Sequence, residues 1–250
     1  MSLSGQAILV TGATGAIGRA ICRALAAEGA RVVVHYGRNR DAAEALLASL
    51  GGGGWCFSAD LSDPGGPQRL WDAASSAAGR LTGLVNNAGI RSEVAVDAPM
   101  AEWQRVWACE MQVNFLSAVD LSKLAIQHFR DNGGGRIVNM ASRAGQRGYS
   151  SGAMAYGASK AALINLTKSI ALSHGHEGIT SVALAPGWVR TEMAEAYVTR
   201  HGEAAALAGI PIARMAAPEE IGEIAAFVFR PLQASLNGAV LDVNGGSYLR

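Results

Sequence analysis

The chain has 250 residues, half of them apolar and 16% charged, with 21 basic against 20 acidic side chains. That composition supports a sizeable buried core and excludes a largely disordered chain; a net charge of +1 without a long basic run argues against nucleic acid as a partner. The opening "MSLSGQAILVTG" has neither a basic n-region nor a cleavage site, and no apolar run reaches the ~18 residues that span a bilayer, so a soluble, cytoplasmic protein without membrane partners is expected.

Short apolar runs alternate with helical patterns along the chain. "QAILVT" (6–11), "RVVVHY" (31–36), "WCFSAD" (55–60), "GLVNNA" (83–88), "RIVNMAS" (136–142), "TSVALAP" (180–186) and "AVLDVNG" (239–245) read as strands. Their nearly continuous apolar character is that of strands covered on both faces. Helical patterns occupy 17–28, 40–50, 67–78, about 100–131, 153–174 and 218–229, the last opened by Pro218 and two glutamates. The alternation implies an α/β fold: a Rossmann-type, doubly wound parallel sheet of about seven strands with helices on both faces. Such a sheet binds ligands at the carboxyl ends of its strands.

No linker or repeat interrupts the pattern, so residues 1–250 read as a single dinucleotide-binding domain. "GGGG" (51–54) reads as a loop, and weakly periodic residues 188–212, beyond a strand end, as a substrate lid. Cys22, Cys56 and Cys109 lack CxxC spacing and read as buried free thiols. His174, His176 and Glu177 have the spacing of a solvated turn rather than a zinc site, and no metal is expected.

"VTGATGAIGRAI" joins the first strand to the first helix, where a dinucleotide pyrophosphate would sit against the helix N-terminus. Gly12, Thr14, Gly15, Ala16, Ile17 and Gly18 are its candidate cofactor contacts. At the end of the second strand a carboxylate would hold ribose hydroxyls, and an arginine a 2′-phosphate. Tyr36 closes that strand and Arg38 and Arg40 follow, so NADP(H) is favoured over NAD(H). Two solvated charges at a helix start remain the alternative.

Residues four apart on a helix share a face, so Tyr156 and Lys160 in "AMAYGASKAAL" can meet one ligand. A nearby ammonium favours the phenolate and would lower the phenol pKa by about 1–3 units, fitting it for acid–base work on a carbonyl or alcohol. A packing tyrosine beside a surface lysine is the alternative for the pair alone.

With these motifs in order, essentially the whole chain resembles the compact branch of the short-chain dehydrogenase/reductase family. "TGATGAIG" is similar to its cofactor loop, "NNAG" (86–89) to its fourth-strand motif and "YGASK" to its catalytic motif. "APGWVRTEM" (185–193) is similar to its nicotinamide-side loop and "VNGG" (243–246) to its C-terminal signature. The resemblance implies an NAD(P)-dependent oxidoreductase interconverting a ketone and a secondary alcohol, with Tyr156 as general acid–base and Lys160 as its electrostatic partner and ribose ligand. It further implies Ser142 on the substrate oxygen and Asn114 holding a relay water. Asp60 and Leu61 would lie near adenine, Asn87, Ala88 and Gly89 along the cofactor, and Pro186, Gly187, Val189 and Thr191 beside nicotinamide.

Three departures stand out: the glycines run TGxxGxxG, the Ser142–Tyr156 separation is one residue longer than the family's usual spacing, and "ITSVALAPG" lacks an asparagine. The substrate pocket is expected among Ile90 to Val96, 143–154 and the lid, with Arg91, Arg143, Arg147, Tyr149, Met154, Trp188 and Met193 as candidates. Reduction of 3-oxoacyl groups on acyl carrier protein is one possibility by resemblance; Glu177 before Gly178–Ile179, where such reductases carry a basic docking residue, weighs against it. Two other readings are a cofactor-sensing module on the same fold and an epimerase or dehydratase that retains its cofactor. A homotetramer or homodimer is implied by the resemblance.

Overall fold

A computed structural model describes residues 2–51 and 53–249; Gly52 of the expected glycine loop and Arg250 of the C-terminal segment lie outside them. The strands are β1 (Ala7–Val10), β2 (Arg31–Tyr36), β3 (Trp55–Ser58), β4 (Gly83–Asn86), β5 (Gly135–Met140), β6 (Ile179–Pro186) and β7 (Val240–Val243). All seven are parallel, in the order β3-β2-β1-β4-β5-β6-β7. The order reverses between β1 and β4, which opens a crevice at the carboxyl edge.

Between the strands run α1 (Ala16–Ala27), α2 (Arg40–Ser49), α3 (Gly66–Ala78), α4 (Met100–Met111), α5 (Ser117–Asp131), α6 (Ala144–Arg147), α7 (Met154–His174), α8 (Glu192–His201), α9 (Glu203–Leu207) and α10 (Pro218–Phe229). One face of the sheet carries α1, α2 and α10 over a core that includes Ile8, Val34, Val138, Ile21 and Ile221. The other carries α3, α5 and α7 over Leu9, Leu84, Ile137, Trp71 and Phe129. Burying a side chain such as fully enclosed Phe129 contributes about 1.5–3 kcal/mol.

Two segments differ from the sequence pattern. The helix expected over about 100–131 is interrupted by a π-helical turn, Gln112–Leu116, because the stretch accommodates one more residue than α-helical periodicity allows; such turns concentrate at functional sites. Residues 188–212 form α8 and α9, closed over a small core of Ala194, Ala206 and Met215 beside Trp188 and Tyr197.

Candidate active site

A cleft of about 750 Å³ runs along the carboxyl ends of the strands. It is lined by all but two of the residues singled out for catalysis or cofactor binding; the exceptions are Tyr36 and Asn114.

At the end of β1 the chain turns tightly into α1. Gly12 has φ +61°, and a Cβ there would lie 2.9 Å from the Ala88 Cα, so the turn packs directly on "NNAG". Thr11 ties the two together, its hydroxyl accepting the Asn87 and Ala88 N–H groups, each at 2.9 Å. A Cβ on Gly18 would meet the Gly12 carbonyl at 2.4 Å. Gly15 differs: a Cβ would find only the Gly12 carbonyl at 3.5 Å, an ordinary contact. Nothing among the described residues therefore requires glycine at 15, and its bare backbone leaves room for a phosphate over the first turn of α1, which has no side-chain cap. The shifted glycine spacing thus yields a turn open to a dinucleotide.

A residue that the sequence reading missed braces this turn. His35, 3% exposed, accepts the Gly12 N–H on Nδ1 at 3.0 Å and donates from Nε2 to the Ala59 carbonyl at 3.1 Å. Burial lowers its pKa and keeps the imidazole neutral, the form this bonding requires. Its signal was one polar residue inside the apolar "VVVHY". Tyr36, next in sequence, packs against the core, and it is Gly37 and Arg38 that line the cleft. Hydrogen bonds from Ser62 hold the Asp60 carboxyl below the usual range, with the Arg38 charge contributing. Arg40 turns away and pairs with Glu44 at 2.6 Å on the exposed face of α2.

Ser142, Tyr156 and Lys160 converge at the end of β5. Lys160, 4% exposed, donates to the Met140 carbonyl at 2.8 Å, and its Nζ lies 5.8 Å from the Tyr156 ring centre. Gly89 permits this: a Cβ there would stand 3.3 Å from that Nζ and 3.4 Å from the Asn114 Oδ1. The expected acidification of the phenol is corrected. Burial pushes Tyr156 up to about 12, outweighing the lowering influences of Ser142 and Arg91, while Tyr149 and Glu110 add to the rise. Burial likewise pushes Lys160 down to about 8. Removing both groups from water disfavours both charges, an effect that helix spacing does not reveal.

Asn114 sits behind the cleft. Its Oδ1 accepts the Ile90 N–H at 2.7 Å, and its Nδ2 donates to the Ile90 carbonyl at 2.9 Å and to the Ser159 hydroxyl at 3.1 Å. The side chain therefore clamps the strand-end loop to α7, and its amide is spent on protein partners. Glu110, fully buried in α4, was also missed; it accepts the Ser92 N–H, its second oxygen has no partner among the described residues, and burial pushes its carboxyl up.

Of the pocket candidates, Arg91, Arg143, Tyr149, Trp188 and Met193 line the cleft, whereas Arg147 and Met154 do not. The Tyr149 ring centre lies 5.7 Å from that of Tyr156, under the Arg91 guanidinium at 5.4 Å. Burial pushes the Cys22 thiol up to about 12, but Cys109 is exposed and lines the cleft, against the expectation of a buried thiol. No helix among the described residues is long and apolar enough to cross a membrane.

A family model described as short chain dehydrogenase matches residues 6–201. The chain belongs to the short-chain dehydrogenase/reductase family. It is 34% identical to a 3-oxoacyl-[acyl-carrier-protein] reductase FabG of Vibrio cholerae, covering all of both chains, and 32% identical to a D-beta-hydroxybutyrate dehydrogenase of Cupriavidus necator, covering 98% of each. A solved short-chain dehydrogenase/reductase from Serratia marcescens superposes with a TM-score of 0.86 at 31% identity over 99% of each chain. This short-chain dehydrogenase/reductase is accordingly an oxidoreductase that uses a nicotinamide dinucleotide to interconvert a ketone and an alcohol.

Proposed function

We propose that this short-chain dehydrogenase/reductase reduces a 3-oxoacyl compound to its 3-hydroxy form, with NADP(H) preferred over NAD(H). The convergence of Ser142, Tyr156 and Lys160 beside Gly89 in the cleft that holds the open glycine turn carries the reading. When bound, the reduced dinucleotide supplies hydride to the carbonyl carbon. Ser142 donates to the substrate oxygen and fixes its position, and Tyr156 gives that oxygen its proton. A phenol held near 12 stays protonated at neutral pH, the form that reduction consumes. Lys160, still largely protonated below about 8, stabilises the phenolate left behind and meets the ribose hydroxyls. Arg38, at the end of β2, lines the cleft and has no ion pair like that of Arg40 among the described residues, which supports the 2′-phosphate preference.

The named substrates of the two relatives share a 3-oxo/3-hydroxyacyl unit, which supports that class. A carrier protein as donor of the unit is less well supported: Arg130, the nearby basic residue, is held by Glu177 through contacts of 2.7 and 3.0 Å. In this reading the chain is one cytoplasmic domain, α8 and α9 cover the substrate, and copies assemble as a homodimer or homotetramer; Leu172 on α7, 86% exposed, supports an interface.

NADPH oxidation followed by absorbance with a panel of 3-oxoacyl compounds tests the proposal. Tyr156→Phe should lower turnover by about 10²–10⁴-fold while dinucleotide affinity persists; equal turnover by the variant contradicts the assignment.

A further inference from the structure

Several exposed arginines in this protein find carboxylates: Arg190 pairs with Glu195 and Glu203, Arg214 with Glu220, and Arg230 with Glu28. Arg143 is the opposite case. It is only 7% exposed and lines the cleft directly after Ser142, yet its guanidinium has no hydrogen bond or ion pair with any described residue. An arginine stays protonated in a protein, and the Arg143 guanidinium, which is not among the enclosed unpartnered groups, faces the cleft with no counter-ion among the described residues. Burial and the nearby Arg147 charge both act against it. On the neighbouring wall Arg91 pairs with Glu93 at 2.6 Å but leaves its Nε buried and unpartnered. Tyr149 contacts both Arg91 and Tyr156, and Arg143 lines the same cleft directly after Ser142, so positive charge borders the substrate side of the catalytic phenol.

The cradle for the cofactor's pyrophosphate stands at a different strand end from Arg143. The open glycine turn lies at the end of β1, and β4 intervenes between it and the end of β5, where Arg143 stands. That is two strand spacings, roughly 10 Å.

We propose that Arg143 anchors a carboxylate carried by the substrate itself, so that the ketone reduced is a short 3-oxo acid with a free carboxylate rather than a thioester. This rests on the oxidoreductase reading given under the proposed function. A guanidinium binds a carboxylate through two parallel N–H···O bonds, which would fix the acid end while Ser142 and Tyr156 hold the ketone.

The test compares NADPH-dependent reduction of acetoacetate with that of its neutral ethyl ester. Wild-type protein should favour the acid in kcat/KM by tenfold or more. Arg143→Gln should cut that acid-to-ester ratio at least tenfold, mainly through KM for the acid, and Arg143→Lys should restore part of it by returning the charge without the planar fork. A wild-type preference for the ester, or a ratio that Arg143→Gln leaves unchanged, overturns the proposal. Calorimetric titration of acetoacetate into the NADP⁺ complex, for wild type and for Arg143→Gln, separates this site from the reductase reading. Binding by wild type that Arg143→Gln abolishes supports the anchor even if neither compound turns over, in which case the reductase reading fails alone. Absence of acetoacetate binding to wild type overturns the anchor. Unchanged circular dichroism and NADPH affinity confirm that the variants are folded.

Discussion

The Lys160 ammonium donates to the Met140 backbone carbonyl at 2.8 Å, two residues before Ser142 on the same strand end. This bond holds the cation between the proposed acid and the dinucleotide cleft, in a place where burial pushes its pKa from 10.5 down to about 8. A lysine depressed in the folded state contributes stability above its unfolded pKa and loses it as pH falls through about 8. The charged side chain is therefore held at a loss at neutral pH, on the order of 3 kcal/mol at 1.36 kcal/mol per pKa unit.

Lys160→Met keeps the length of the side chain without that charge. After allowing for the lost Met140 hydrogen bond, the cofactor-free variant should gain about 1 kcal/mol at pH 7, a rise in Tm of about 2–4 °C. The advantage should vanish at about pH 9 and reverse above it, as the ammonium penalty falls below the value of the lost hydrogen bond, while kcat/KM falls at least about 10²-fold. Thermal melts across pH alongside turnover read both effects, and a Tm lower than wild type at pH 7 contradicts the account.

His35 supplies a second pH dependence of the same sign. Its folded pKa is below 6.5, so its stability contribution is complete above 6.5 and lost as pH falls through the folded value. Protonated Nδ1 can no longer accept the Gly12 N–H, so dinucleotide affinity should weaken over the same window. Since His128 is depressed too, the informative quantity is the difference between wild type and His35→Gln. Melts and dinucleotide titrations should show a steeper acid decline in wild type; parallel curves would count against the brace.

The glycines divide into two kinds. In Gly18→Ala the new methyl meets the Gly12 carbonyl at 2.4 Å, and the expected result is a loss of about 1–3 kcal/mol in Tm-derived stability. In Gly15→Ala the nearest contact is 3.5 Å, so Tm should stay close to wild type while dinucleotide affinity falls about tenfold or more. Loss of stability in Gly15→Ala without loss of affinity would assign that glycine to packing.

Arg38→Ala tests the cofactor choice. Loss of a charge-assisted contact to a 2′-phosphate of about 1.5–3 kcal/mol weakens NADPH binding by about 10–100-fold. NADH binding should barely change. Equal effects on both dinucleotides would remove Arg38 from phosphate recognition.

Much of this molecule was legible in its residues because the signals are local. "RVVVHY" and Pro218 with its two glutamates mark a strand and a helix whose observed limits, Arg31–Tyr36 and Pro218–Phe229, follow the sequence pattern. Gly12, Ser142, Tyr156 and Lys160 were placed by motif and spacing, and all reach the cleft. The π-helical turn around Asn114 was not legible, since a single extra residue barely disturbs an apolar periodicity. Nor was the burial of Glu110, an acidic residue in a helix that alone would pass for solvated.

The sequence by itself determined the order of strands and helices, the family and the residues at the strand ends, because periodicity, turn chemistry and motif spacing are written in neighbouring positions. Only the tertiary structure decided the electrostatics. That Tyr156 is made less acidic, that His35 supports the glycine turn from the next strand, and that Arg143 lines the cleft without a carboxylate all depend on which distant segments pack around each group. Desolvation is a sum over everything packed around a charge, and no run of adjacent residues contains it.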